Sequence, residues 1–121
     1  MELETIEVGL IKGRHNLPVD EYIIDFEIDD PYEQYWEIKE TIHKFLIEKV
    51  GVMTINGYGI NQAGGNNVPC YFGEKELVVY VTGLTIVTAE LINWCLIYGV
   101  NLTLMHYNSK NEEYFPQVIT L

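Results

Sequence analysis

The stretch Glu76-Leu-Val-Val-Tyr-Val-Thr-Gly-Leu-Thr85 decides the fold, together with the apolar run that follows it to Gly99 and the segment Asn101-Leu-Thr-Leu-Met-His-Tyr107. Residues 76–82 are rich in β-branched and aromatic side chains, the mark of a buried strand. Gly83-Leu84-Thr85 breaks that run. The next apolar segment, 85–98, is too long for a strand and closes at Gly99, so it reads as a helix. A second strand follows over 101–107. Strand, helix and strand in this order make a β-α-β unit, with parallel strands and a right-handed crossover expected. Ligands of open α/β sheets settle where strands end and a helix N-terminus offers free N–H groups. Thr82, Gly83 and Thr85 are therefore candidate ligand contacts. Gly83 permits close backbone approach, and either threonine can cap the helix or bond a phosphate oxygen. His106 and Tyr107 end the parallel strand at the same sheet end, and His106 joins the candidates. The junction lacks the P-loop lysine and the spaced glycines of a dinucleotide fingerprint.

Further along, 114–120 alternates and pairs back on 101–107 across the polar turn 108–113, a β-hairpin. On the N-terminal side, 5–12 alternates around Ile6, Val8 and Leu10, and 22–28 around Tyr22, Ile24, Phe26 and Ile28. These two strands are expected to add a second antiparallel hairpin. Asp29-Asp30-Pro31 opens a helix over 31–50, with apolar residues Tyr35, Ile38, Ile42, Phe45 or Leu46, and Val50, and a stop at Gly51. Residues 52–60 read as a strand with a bulge, or one that turns at Asn56-Gly57. Residues 61–67 read as an exposed loop, and Cys70 falls in a loop after Val68-Pro69. The expected fold is one α/β domain over 1–121, a mixed sheet with two helices in the order β-β-α-β-β-α-β-β. It contains one Rossmann-like β-α-β unit. Helix 85–98 is apolar around its circumference apart from Glu90 and Asn93, so it needs burial on more than one side. A homodimer through this helix is the preferred cover, with helix 31–50 or a loop as alternatives.

Composition bounds the function. The chain is 48% hydrophobic and 12% aromatic over 121 residues, which excludes disorder and allows a real core. No run of about 20 uncharged apolar residues suggests a membrane span. Met1-Glu-Leu-Glu does not open like a signal peptide, so a cytoplasmic location is expected. Cys70 and Cys95 make no disulfide framework and have no metal-ligand spacing, and no metal or cofactor is expected. Net charge is −11, from 18 acids and 7 bases. Residues 20–40 hold nine carboxylates against Lys39 alone. Such a surface repels duplex nucleic acid. It serves either as a solvated face or as an imitation of nucleic acid toward a basic partner, with Glu33, Glu37 and Glu40 on one helix face.

Two further clusters are candidates. Lys12, Arg14 and His15 flank Gly13 directly after the first strand, and Arg14 is the only arginine. This is a candidate anion clamp, although Arg14 could equally pair with Asp20 or Glu21. His15 could bond a phosphate or act as an acid–base group. Tyr58 and Gln62, near Asn56, offer ring and amide groups suited to a nucleobase. No nucleophile–base pair stands out, so catalytic residues stay unassigned, and activity has no support beyond His15 and His106.

The pattern of residues 77–120, with V-V-Y-V-T-G-L-T, an apolar helix, a strand and a final hairpin, resembles small CRISPR-associated CARF-type and ring-nuclease proteins. It also resembles viral proteins that sequester immune-signalling nucleotides. The resemblance implies a Rossmann-like fold, a dimer, and a cyclic oligonucleotide held at strand ends across the dimer interface. It implies a phosphate at Thr82, Gly83 and Thr85. The expected function is that of a small cytosolic nucleotide-binding protein of prokaryotic or phage defence, sequestering or cleaving cyclic nucleotide signals. The alternative is an acidic inhibitor or adaptor acting on a basic host protein.

Overall fold

The computed structural model describes residues 4–13, 16–51, 53–55, 68–70 and 75–119. Strands β1 (Glu4–Ile11), β2 (Tyr22–Ile24), β5 (Lys75–Tyr80), β6 (Asn101–Asn108) and β7 (Glu113–Ile119) form one sheet in the order β2-β1-β5-β6-β7. Helices α1 (Tyr35–Val50) and α2 (Thr85–Tyr98) complete this unit. Strands β3 (Met53–Ile55) and β4 (Val68–Cys70) pair antiparallel as a separate small sheet. The α/β class, the mixed sheet and the two helices are as expected.

The β-α-β unit forms as read. β5 and β6 are parallel neighbours, with Leu77 opposite Leu102 and Val79 opposite Leu104. Gly83 (φ 78°) and Gly99 (φ 71°) bracket α2 in conformations that L side chains rarely adopt. The final hairpin also forms, β6 running antiparallel to β7 with Tyr107 opposite Tyr114 and Met105 opposite Pro116. Asn108 and Asn111 each accept a backbone N–H two residues on, which shapes the turn.

Four expectations are corrected. First, β2 runs parallel to β1, with Gly9 opposite Tyr22 and Ile11 opposite Ile24, so no N-terminal hairpin exists. Parallel pairing normally needs a helical crossover. Here β2 is only three residues long, so residues 12–21 suffice to return the chain. β2 stops at Ile24 because β1 stops at Ile11 and Gly13 turns away (φ 90°). Second, α1 begins at Tyr35, four residues after Pro31. Side-chain bonds hold 30–34 as a turn instead: Asp30 Oδ1 accepts the N–H of Tyr32 and Glu33, and Gln34 Oε1 accepts those of Asp29 and Asp30. Third, Cys70 belongs to strand β4, which adds one strand to the expected order. Fourth, neither Thr82 nor Thr85 caps α2; Leu84 is the N-cap and makes no side-chain cap bond. The proposed turn at Asn56-Gly57 lies outside the described residues.

The core lies between the sheet and the helices. Val8, Leu10, Leu77, Val79, Leu102 and Leu104 form one buried cluster with Ile38, Ile42 and Leu46 of α1 and Val87, Leu91 and Cys95 of α2. Burial pushes the Cys95 thiol up to about 12, which makes it a poor nucleophile. The helices lie side by side, joined by two polar bonds. Trp94 Nε1 donates to His43 Nδ1 at 3.0 Å, and the Tyr35 hydroxyl donates to the Glu90 carboxylate.

The Tyr35–Glu90 bond has a pH signature. It raises the Tyr35 phenol above its ordinary 10.0, with desolvation and the Glu90 charge adding in the same direction. A phenol held protonated in the fold stabilises it fully below its unfolded value, and that contribution fades as pH rises through the raised one. Urea midpoints should therefore drop above about pH 10 in the native chain, and drop less in Tyr35→Phe. Superimposable pH profiles for the two proteins would refute the coupling.

Candidate functional site

The sheet order creates a switch point. From β1 the chain moves outward to β2, and from β5 it moves the other way to β6. β1, β5 and β6 are mutually parallel, so their carboxyl ends share one edge. Connections that leave in opposite directions open a crevice there, where ligands of open α/β sheets bind.

A cleft of about 530 Å³ occupies this edge, lined by Asn16, Leu17, Val81, Thr82, Gly83, His106, Tyr107 and Tyr114. Its size falls in the range of small-molecule sites. Asn16 and Leu17 come from the β1–β2 connection, Val81 to Gly83 from the end of β5, His106 and Tyr107 from β6, and Tyr114 from β7. Thr82 is 2% exposed, and its hydroxyl donates to the Ile11 carbonyl at 3.4 Å, tying the end of β5 to that of β1. Gly83 then turns the chain into α2, whose N-terminus carries no side-chain cap.

His106 is held in place. Its Nε2 lies 2.7 Å from Gln117 Oε1, and its ring stacks on Phe115 with centroids 5.4 Å apart. When Nε2 donates to that carbonyl oxygen, Nδ1 keeps its lone pair. Tyr107 and Tyr114 meet edge to face at 5.3 Å, and Tyr80 meets Tyr114 edge to face at 5.0 Å. Desolvation, and then the Glu7 and Tyr114 charges, hold the Tyr80 phenol above its ordinary value. No carboxylate lines the cleft among the described residues, in a chain with 18 acids.

Of the residues singled out from sequence, Thr82, Gly83 and His106 come together here. Thr85 is exposed at the first position of α2, outside the lining. Lys12 is not part of this cleft; it lines a separate depression with Asp20, Glu21, Asp25 and Lys44, an acidic setting. Arg14, His15, Tyr58 and Gln62 lie outside the described residues. The aromatic surface comes from Tyr107 and Tyr114, and sequence reasoning did not select Tyr114. The hairpin offered the signal, since a turn centred on 108–113 sets Tyr114 directly across from Tyr107. No described helix is long and apolar enough to cross a membrane, and no group of three or more His, Cys, Asp or Glu converges among the described residues. No family model, no curated protein and no solved structure matches this chain.

Proposed function

We propose that this chain is a small cytoplasmic nucleotide-binding protein whose ligand occupies the cleft at the carboxyl ends of β1, β5 and β6. The observation that carries this reading is the coincidence of the cleft with the switch point between β1 and β5. Tyr107 and Tyr114 supply ring surface for a base, and Asn16 and His106 supply hydrogen bonds to its edge. The Gly83 turn and the uncapped start of α2 suit a phosphate. Binding without turnover is favoured, because among the described residues the ring of His106 is hydrogen-bonded to the Gln117 amide and to no hydroxyl or thiol that it could activate. The likeness of residues 77–120 to cyclic-oligonucleotide proteins makes a cyclic nucleotide signal of prokaryotic or phage defence the specific candidate.

A thermal-shift series with AMP, cyclic dinucleotides, cyclic oligoadenylates and cyclic ADP-ribose tests the reading. A ligand at a hundredfold excess over its Kd adds about 2.7 kcal/mol, several degrees in Tm. That rise should vanish in Tyr107→Ala and His106→Ala and shrink in Arg14→Ala. A flat response to every nucleotide would remove the proposal.

A second reading draws on one observation: all nine carboxylates of residues 20–40 are exposed. Such a surface fits an inhibitor or adaptor that engages a basic protein. A salt-sensitive capture of a basic protein, with no nucleotide shift, would favour it.

A further inference from the structure

Away from the cleft, a groove of about 390 Å³ runs along the outer surface between α1 and α2, lined by Trp36, Lys39, His43, Trp94, Ile97 and Tyr98 among others. Trp36 stands 73% exposed at this groove, as does Ile97 at 54%, and the neighbouring Leu96 is 42% exposed. We propose that this surface is the contact between two copies of this chain, related by a two-fold axis, with each Trp36 indole seated in the other copy's groove. The proposal is independent of the nucleotide reading.

Four observations name a second copy as the occupant. A projecting ring and an apolar groove lie on the same patch, and an isologous contact requires such self-complementarity. Charge points the same way. α1 and α2 together hold four carboxylates (Glu37, Glu40, Glu48, Glu90) and three lysines (Lys39, Lys44, Lys49), whereas the whole chain carries −11. The helical layer is therefore the nearly neutral side on which a like-charged copy can approach. Area is adequate: Trp36, Leu96 and Ile97 together expose on the order of 300 Å², taking aromatic side chains at roughly 150–250 Å². A standard interface buries about 800 Å² per partner, somewhat over half of it apolar, so these three residues supply the larger part of the apolar share and the polar surface around the groove has to complete the contact. Finally, two donors at the groove are already bonded. Trp94 Nε1 already bonds His43, and beside it the Tyr35 hydroxyl bonds Glu90. The Lys39 ammonium sits 5.5 Å from the Trp36 ring centroid and leaves its other face for the partner.

Light scattering of the purified chain should give twice the 14.0 kDa chain mass at about 100 µM, decaying toward the single-chain mass on dilution. Tryptophan emission should move to longer wavelength along the same dilution curve as Trp36 returns to water. Trp36→Glu and Ile97→Glu should each weaken association by roughly 30-fold or more, as loss of a buried anchor does. Val118→Glu, on β7, should leave the dimer intact. Circular dichroism checks that each variant folds, and if one does not, the dilution curve of the unmodified chain decides. The proposal falls if the chain is a monomer at 100 µM or if emission stays fixed while the mass halves. It also falls if folded Trp36→Glu and Ile97→Glu remain dimeric, or if Val118→Glu dissociates like them.

Discussion

Leu77→Ala should cost about 3–5 kcal/mol, as truncation of a fully buried leucine does. Leu77 has no exposed surface and lies between Ile6 of β1 and Leu102 of β6 in register. Truncation removes the transfer energy of the side chain and leaves a cavity in the middle strand, where neighbours on both sides are fixed by the ladder. Domains of this size have only about 5–15 kcal/mol in total, so the variant should melt far earlier and lose most of its folded population at 37 °C. Urea titration measures the loss. A value under 1 kcal/mol would mean that the sheet face toward the helices is not the core.

Gly9→Val should follow, through the opposite fault of too much side chain. A Cβ at Gly9 would stand 2.5 Å from Cδ2 and Cε2 of Tyr22 and 3.0 Å from Cδ1 of Leu17. The Tyr22 backbone cannot retreat, because Gly9 N–H donates to the Glu21 carbonyl and Lys12 N–H to that of Ile24, so the ring itself has to leave its rotamer. Valine gains at most about 1 kcal/mol of strand preference, while overpacking costs about 1–3 kcal/mol or more, so a net loss near 2 kcal/mol is expected. The functional effect should exceed the thermodynamic one. Leu17 lines the cleft, and displacing it alters that wall, so nucleotide-induced shifts should disappear even where the variant is folded. A Gly9→Val protein with unchanged urea midpoint would show that Tyr22 yields freely.

The β5-α2-β6 unit was legible because two local signals agree over it. Side-chain periodicity changes from strand to helix at Gly83, and Gly99 ends the helix at its expected residue. The direction of β2 was not legible, because a three-residue strand pairs either way and only the register with β1 distinguishes them. The start of α1 was misplaced for a local reason of another kind. Asp30 and Gln34 bond the backbone ahead of the helix and hold a turn where Pro31 alone would have opened one. The cleft was half visible. Thr82, Gly83 and His106 follow from parallel strands sharing an end. Lys12 was drawn in by sequence proximity, yet it faces the carboxylates of the β2 side. Proximity along a chain does not fix the direction in which a side chain leaves a turn.

Pro116 has a consequence for how this protein behaves when crowded. Met105 gives its carbonyl to the Val81 N–H, so where Met105 faces Pro116 the backbone of β7 turns outward. That outward position is occupied by the one residue type that has no N–H to give. An incoming foreign strand finds its hydrogen-bond ladder interrupted midway along the outermost rail of the sheet, with Phe115 and Val118 exposed on either side of the gap. Oily side chains can thus stand open at this border without seeding fibrils.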